Sequence, residues 1–418
     1  MQNTEKQAQE SQTNAPEKLE ETTCCIVGGG PGGVILALLL ARKGIEVTLL
    51  EEHMDFERDF RGDTVHPSTM EILEQIGLTE RVFQLEHTTV PQLSFKTAQG
   101  QGFSVDFHHL NTRYPYITLI PQARFLECIT QEASRYPNFR LVMGARAEKL
   151  IEENGYVHGV HYRALDSWHE LRATLTVGAD GRFSRLRKLA GFDPVKTSAP
   201  MDILWFLLPH EEGDPTESGF IIGPGHFLIR LDRGTEWQMG YIILKGSYQH
   251  IKAAGLVALR QEVENLMPAF AQRMETISEW KQISVLSVES SYIKRWYKPG
   301  LLLIGDAAHV MTPVGGVGIN FAIQDAVATA NILTDNLKVG KVRTEDLARV
   351  QRRRERPTRQ IQWFQNMLQR QMLAHILHTD QPQRPPLLPI LLMKFQTLRN
   401  LQAKMIAFGP RPERVQNP

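Results

Sequence analysis

The sequence predicts an α/β fold in which a strand–helix–strand domain is interleaved with a second, β-sheet domain and followed by a C-terminal helical segment. Three observations predict it. Residues 22–52 run from an apolar strand through a glycine-rich turn into a helix and a second strand. Residues 301–304 form another apolar run that ends on Gly305-Asp306 and a further glycine cluster. Between them, residues 201–246 alternate polar and apolar side chains with the period of strands.

The chain of 418 residues is too long for one compact core and fits two intertwined domains with an added helical piece. Apolar residues at 42% and charged residues at 22% are ordinary globular proportions. A net charge of +1 argues against a polyanion binder, so no nucleic-acid partner is expected. The basic run RRRER at 352–356 reads as the solvated face of a helix. Three cysteines, Cys24, Cys25 and Cys128, give an odd count that builds no disulfide framework, and a cytoplasmic setting is expected. Residues 1–21 are polar, without the apolar core of a signal peptide, and read as a disordered tail. No apolar run reaches the roughly 18–20 residues of a spanning helix, so no transmembrane segment is expected. The stretch Leu387–Phe395, with Lys394 and Arg399 nearby, is open to two readings: contact with a membrane surface, or packing against the body of the protein.

Each element of the first segment has a local reason. Gly28, Gly30 and Gly33 fit a Gly-x-Gly-x-x-Gly spacing, which allows a tight turn, close backbone approach to a pyrophosphate and close helix–strand packing. Phosphate would meet free N–H groups at the helix N-terminus, where the dipole favours negative charge. Gly44 ends the helix, and the strand Ile45–Leu50 leads to Glu51, placed to bind a ribose 2′-OH and to disfavour a 2′-phosphate. This is a Rossmann-like fingerprint that leaves FAD and NAD equally open. Cys24 and Cys25 fall in the buried strand, where packing accounts for them.

A second segment, LRATLTVGADGRFSRLRKLAG at 171–191, alternates as a half-buried strand and runs into Asp180-Gly181, with Ser184 and Arg187 on a new helix. In the third, Leu301–Ile304 reads as a strand buried on both faces, with Asp306 at its carboxyl edge, where open α/β sheets place ligands. Pro313, Gly315, Gly316 and Gly318 then form a side-chain-poor approach to a helix over Gly318–Asn336.

In order and separation, these three segments resemble the dinucleotide, DG and GD motifs of the class A flavoprotein monooxygenases, the para-hydroxybenzoate hydroxylase family. The resemblance covers residues 22–340 and, more loosely, the remainder. It implies a glutathione-reductase-type FAD-binding domain over 22–93, 115–200 and 286–340, a substrate-binding sheet domain over 94–114 and 201–285, and a helical region over 341–418. It further implies that FAD lies with its adenosine half on Gly28–Glu51, its ribityl chain near Asp306 and its isoalloxazine beside Pro313–Asn320, positioned by Pro313, Gly315 and Gly316. Asp180, Gly318 and Asn320 belong to the same implied cofactor site. In RDFRGDTVHPSTMEILEQIGL, Arg61 would approach the FAD diphosphate, while Ser68 and Glu71 have capping-box spacing and Gly77 ends the helix. Gln122 matches a glutamine that contacts the flavin side of FAD.

The implied activity is hydroxylation of a small aromatic or hydrophobic molecule through a C4a-hydroperoxyflavin, with NADH or NADPH as transient co-substrate and O₂ as oxidant. The flavin carries the hard chemistry, so no general base is assigned, although His309 stands in the motif. Asp180 and Arg187 are the residues implied for NAD(P)H. Residues 201–246 read as a hairpin turning at Asp232-Arg233-Gly234 that roofs the flavin, with Trp205, Trp237, Met239 and Tyr241 as candidate pocket residues. Pro357 is expected to kink or restart the C-terminal helix. A prenyl-chain reductase of the same fold and a non-catalytic flavin-binding protein remain open as alternatives. A halogenase is disfavoured, because Trp280 and Trp296 do not supply its tryptophan motif.

Overall fold

A computed structural model describes residues 18–57, 63–97, 100, 102–165, 167–215, 217–223, 225–377 and 396–417. Among the described residues, two eight-stranded sheets and a three-stranded one carry the fold. In the first, strands Leu301–Leu303, Ser167–Gly178, Lys18–Val27, Val47–Leu50 and Phe139–Val142 lie parallel in that spatial order. The first strand begins at Lys18, four residues inside the expected tail, because Lys18–Glu21 pair in register with His169–Arg172; the rest of that tail, 1–17, lies outside the described residues. The helix Pro31–Arg42 is buried along nearly its whole length and packs against the helices Gly318–Lys338 and Gln122–Ala133. That explains its almost uniformly apolar sequence.

The second sheet runs in the order His309–Val310, Ser284–Tyr292, Val195–Pro209, Glu236–Leu244, His226–Asp232, Gly219–Gly223, Gln92–Thr97 and Gly102–Asp106. The strands 226–232 and 236–244 form the expected hairpin around Arg233-Gly234. The strand Val195–Pro209 crosses residue 200 without a break and lies wholly in this sheet, Val195–Ser198 already pairing with Glu289–Tyr292. One face of this sheet packs on the helices 256–266 and 271–274 through Leu204, Phe206, Trp237, Met239, Val263 and Phe270. The opposite face lines a cavity together with the Gly28–Gly32 turn of the first sheet.

The long helix Thr344–Leu377 continues through Pro357 rather than restarting there. Its buried side, including Arg354, Thr358, Ile361 and Gln362, holds the helix together despite the missing N–H. The basic run is likewise only partly solvated. Arg354 is fully buried and pairs with Asp325 at 2.8 Å and Glu413 at 3.4 Å, and Arg353 binds Glu413. Among the described residues no helix is long and apolar enough to cross a membrane. The stretch 387–395 lies outside the described residues, as does Arg61.

Candidate active site

Strand register brings the three motifs together. Val27 pairs with Gly178 and Gly178 with Leu303, so Gly28, Asp180 and Asp306 leave one carboxyl edge side by side. Backbone bonds lock that edge: Ala179 N–H donates to the Val27 carbonyl at 2.7 Å and Ile304 N–H to the Gly178 carbonyl at 2.9 Å.

At the first motif a side chain has no room. Gly28 has φ +106°, and a Cβ there would stand 2.4 Å from the Ala179 carbonyl oxygen; at Gly33 it would stand 2.0 Å from the Gly28 oxygen. The helix that follows has no side-chain cap, leaving its N-terminus to a ligand. Buried Glu51 accepts from the Gly29 N–H at 2.8 Å and from the His53 N–H at 3.0 Å, and its Oε1 lies 2.7 Å from His53 Nδ1.

The second motif is chiefly a brace. Asp180 accepts from Ser184 Oγ at 2.6 Å and Leu186 N–H at 3.0 Å. Burial pushes its carboxyl above the usual range, and those bonds together with the Arg187 charge offset this only in part. Arg187, a candidate for NAD(P)H, is buried and donates to the carbonyls of Asp306, Ala307 and Arg182. Its guanidinium is committed to fastening the second motif to the third. Burial lowers its pKa, opposed by the charges of Asp180, Glu289 and Asp306.

In the third motif Gly315 and Gly316 have φ +78° and +62°, and a Cβ on Gly316 would stand 2.4 Å from Thr64 Oγ1. Thr64 donates to the Gly316 carbonyl at 2.9 Å. Asn320 is an internal clamp: its amide nitrogen donates to the Thr64 and Gly316 carbonyls, and its oxygen accepts from His66 N–H and Thr69 Oγ1. The helix Pro67–Gln75 therefore starts from His66 with Pro67 in its first turn. Ser68 forms no capping box, because proline at that position places it inside the helix. The helix Gly318–Lys338 also lacks a side-chain cap. His309 is buried away from the cavity wall, its Nε2 at 2.6 Å from Asp325, which also accepts from the Gly305 N–H at 3.0 Å.

A cavity of about 1100 Å³ runs from Gly28–Gly32 past Glu51, Asp180 and Asp306 to Pro313–Gly318, with Gln122 on its wall, and continues under the second sheet. Its length, its glycine-lined walls and its two uncapped helix N-termini fit an extended FAD. Beneath the sheet the wall turns apolar: Met201, Ile203, Trp205, Phe227 and Ile242 face the cavity. Gly240 makes room for Trp205, since a Cβ there would meet the indole at 2.7 Å.

Trp237, Met239 and Tyr241 lie on the opposite face, which corrects the expectation that they line the pocket. Trp205 pairs with Gly240 and Leu208 with Trp237, so odd-numbered residues of strand 236–244 share the helix-covered face with Leu204, Phe206 and Leu208. Trp237 donates to Asp214 at 2.7 Å, and Tyr241 donates to Glu262 at 2.6 Å. Asp63 and Thr64 also line the wall without belonging to any of the three motifs, as do the long helix's Ile361, Phe364, Gln365, Leu368 and Gln369. The five helix residues have one signal in the sequence, the spacing i, i+3, i+4, i+7, i+8 of a single helix face.

Residues 21–363 match the model of a family described as FAD binding domain. The chain is 31% identical over 341 residues to 6-methylpretetramide 4-monooxygenase of Streptomyces rimosus, covering 81% of each. It is 28% identical over 299 residues to 12-dehydrotetracycline 5-monooxygenase/anhydrotetracycline 6-monooxygenase from Streptomyces rimosus subsp. rimosus, spanning 66% of this chain but only 55% of that relative. Among solved structures, Pseudomonas aeruginosa PqsL in complex with 2-aminobenzoylacetate superposes with TM-score 0.74 at 19% identity, over 86% of this chain and 97% of that one. At that identity the likeness concerns the fold.

Proposed function

We propose, for a chain that belongs to the FAD binding domain family and is a class A flavoprotein monooxygenase, that it hydroxylates a polycyclic, polyketide-like aromatic molecule held under the second sheet. The observation that carries this reading is the single cavity that joins the nucleotide end to a broad apolar chamber. A small benzoate would call for a cationic anchor, whereas the chamber wall offers Met201, Ile203, Trp205, Phe227 and Ile242. Two tetracycline-type relatives support the polycyclic class.

In this reading Gly28, Gly30 and Gly33 cradle the pyrophosphate, Glu51 holds the adenosine ribose, Asp306 the ribityl chain, and Pro313–Gly318 the isoalloxazine. FAD, reduced by NADH or NADPH, supplies the activation of O₂ for transfer of one oxygen atom to an electron-rich carbon. The chain's own part is orientation, exclusion of water and fixed dipoles. The uncapped N-terminus of the helix Gly318–Lys338 stabilises negative charge beside the glycine loop. The apolar chamber keeps water from the reacting centre.

The test is oxygen transfer by the FAD-loaded protein with NADH or NADPH, ¹⁸O₂ and a panel of polycyclic phenols. One labelled oxygen atom in the product, with substrate-stimulated O₂ uptake, supports the reading. Reduction of a substrate double bond without label would transfer it to the reductase class. Asp306→Ala should lower FAD retention, and full flavin occupancy in that variant would count against the assigned cofactor path.

A further inference from the structure

We propose that the long helix Thr344–Leu377 carries a polar recognition site for oxygen substituents of the substrate, built from Gln365, Gln369 and Thr312; this rests on the oxygenase reading above. Gln365 and Gln369 are 3% and 2% exposed, and Thr312 is 1% exposed. All three line the cavity. Gln365 Nε2 donates to the Thr312 carbonyl at 3.0 Å and to the Val314 carbonyl at 2.7 Å, so the amide grips the chain on both sides of Pro313.

What that grip leaves over is the informative part. Gln365 Oε1, Thr312 Oγ1 and both amide atoms of Gln369 are buried without a hydrogen-bond partner among the described residues. Buried polar atoms are nearly always paired, because leaving one unpaired forfeits its hydration. Gln362, three residues earlier on the same helix, shows the ordinary solution, with its Nε2 donating to the Ser291 and Val310 carbonyls at 2.9 Å each. An apolar side chain would fill the place of Gln369 at no such cost. The neighbouring wall residues Ile361, Phe364 and Leu368 are of that kind.

The site thus presents two acceptors (Gln365 Oε1 and Gln369 Oε1), a donor amide (Gln369 Nε2) and a hydroxyl that does either. A carboxylate would find no cation in this set. Its complement is a neutral edge with adjacent donor and acceptor oxygens, a phenol beside a ring carbonyl. Because Gln365 also holds the loop around Pro313, recognition at this edge sets which carbon of the substrate faces that loop. Gln369 and Thr312 are therefore specificity-determining residues, and Gln365 is in addition a positioning residue.

The experiment is equilibrium dialysis of the FAD-loaded protein with 1,8-dihydroxyanthraquinone and with unsubstituted anthraquinone as probes. The wild type should bind the dihydroxy compound at least about tenfold more tightly. Gln369→Met and Thr312→Val, both close in volume to the native residue, should each reduce that ratio several-fold while leaving FAD content unchanged. Two variants guard against one failing to fold. Equal binding of the two probes, no binding of the dihydroxy compound, or an undiminished ratio in both variants would overturn the proposal. Failure of the oxygenase reading shows differently, as loss of FAD or of label transfer in the wild type.

Discussion

Replacing Asp325 with alanine tests how the cofactor edge is held. The carboxylate is wholly buried and accepts from the Gly305 N–H at 3.0 Å, from Arg354 Nε at 2.8 Å and lies 2.6 Å from His309 Nε2. Burial alone would raise its pKa, but His309 and Arg354 outweigh that and hold it below the usual range. Asp325→Ala leaves the fully buried Arg354 with Glu413 at 3.4 Å as its remaining counter-charge among the described residues. Breaking a buried pair costs about 3–5 kcal/mol, and the stranded Gly305 amide adds about 1–3 kcal/mol without full additivity. A loss of about 4 kcal/mol is therefore expected, measured by urea titration of tryptophan fluorescence. FAD affinity should fall with it, because the Gly305 amide precedes Asp306. The double variant Asp325→Leu/Arg354→Met, which removes both charges, should recover part of the loss. A cost below about 1 kcal/mol for the single variant, or no recovery in the double variant, would refute the network as the anchor of this edge. The sign with pH is fixed by the depressed pKa: the carboxylate's contribution is present above about pH 4 and lost as pH falls through the folded value.

Gly28→Ala should emerge from purification with FAD content reduced more than about tenfold, read from the ratio of flavin to protein absorbance, because its Cβ would meet the Ala179 carbonyl oxygen at 2.4 Å. Trp237→Ala should cost about 3–5 kcal/mol in urea stability with little change in substrate KM, whereas Trp205→Ala should raise KM; the reverse pattern would mean the sheet faces are assigned wrongly. His66 is fully buried, with Nδ1 donating to the Ile406 carbonyl at 2.7 Å, and burial lowers its pKa to about 4. The unfolded chain takes up this proton near pH 6.5 while the fold resists, so His66 should withdraw about 3 kcal/mol of stability as pH falls from about 6.5 to 4. Comparing urea midpoints at the two ends, His66→Gln should flatten that slope.

The glycine and aspartate turns of the candidate site were legible because their backbone requirements are local. A backbone that must approach phosphate without a Cβ needs glycine at Gly28 and Gly33, and strand–turn–helix patterning reports itself within some thirty residues. Asp180, Asp306 and the Gly315-Gly316 turn announced themselves in the same way. Arg187 was legible as a motif residue but not as a brace, since the two carbonyls through which it reaches the third motif, those of Asp306 and Ala307, lie more than a hundred residues away. The buried half of the basic run shows the same limit: the charge of Arg354 is visible in sequence, while its partners Asp325 and Glu413 come from distant helix and tail.

By itself the sequence determined the kind of fold, the three glycine- and aspartate-bearing turns and hence the extended dinucleotide they suit. Tertiary structure decided which side of the second sheet faces that ligand. Alternation makes Trp237, Met239 and Tyr241 one set and Gln238, Gly240 and Ile242 the other, but nothing local says which set meets the cavity. Pairing of Trp205 with Gly240 settles it, and that register depends on contacts between strands some thirty residues apart, where a shift of one residue exchanges the faces. The same holds for the wall built by Gln365 and Gln369: a helix announces its stripe, and only docking against the loop at Thr312–Val314 tells what the stripe touches.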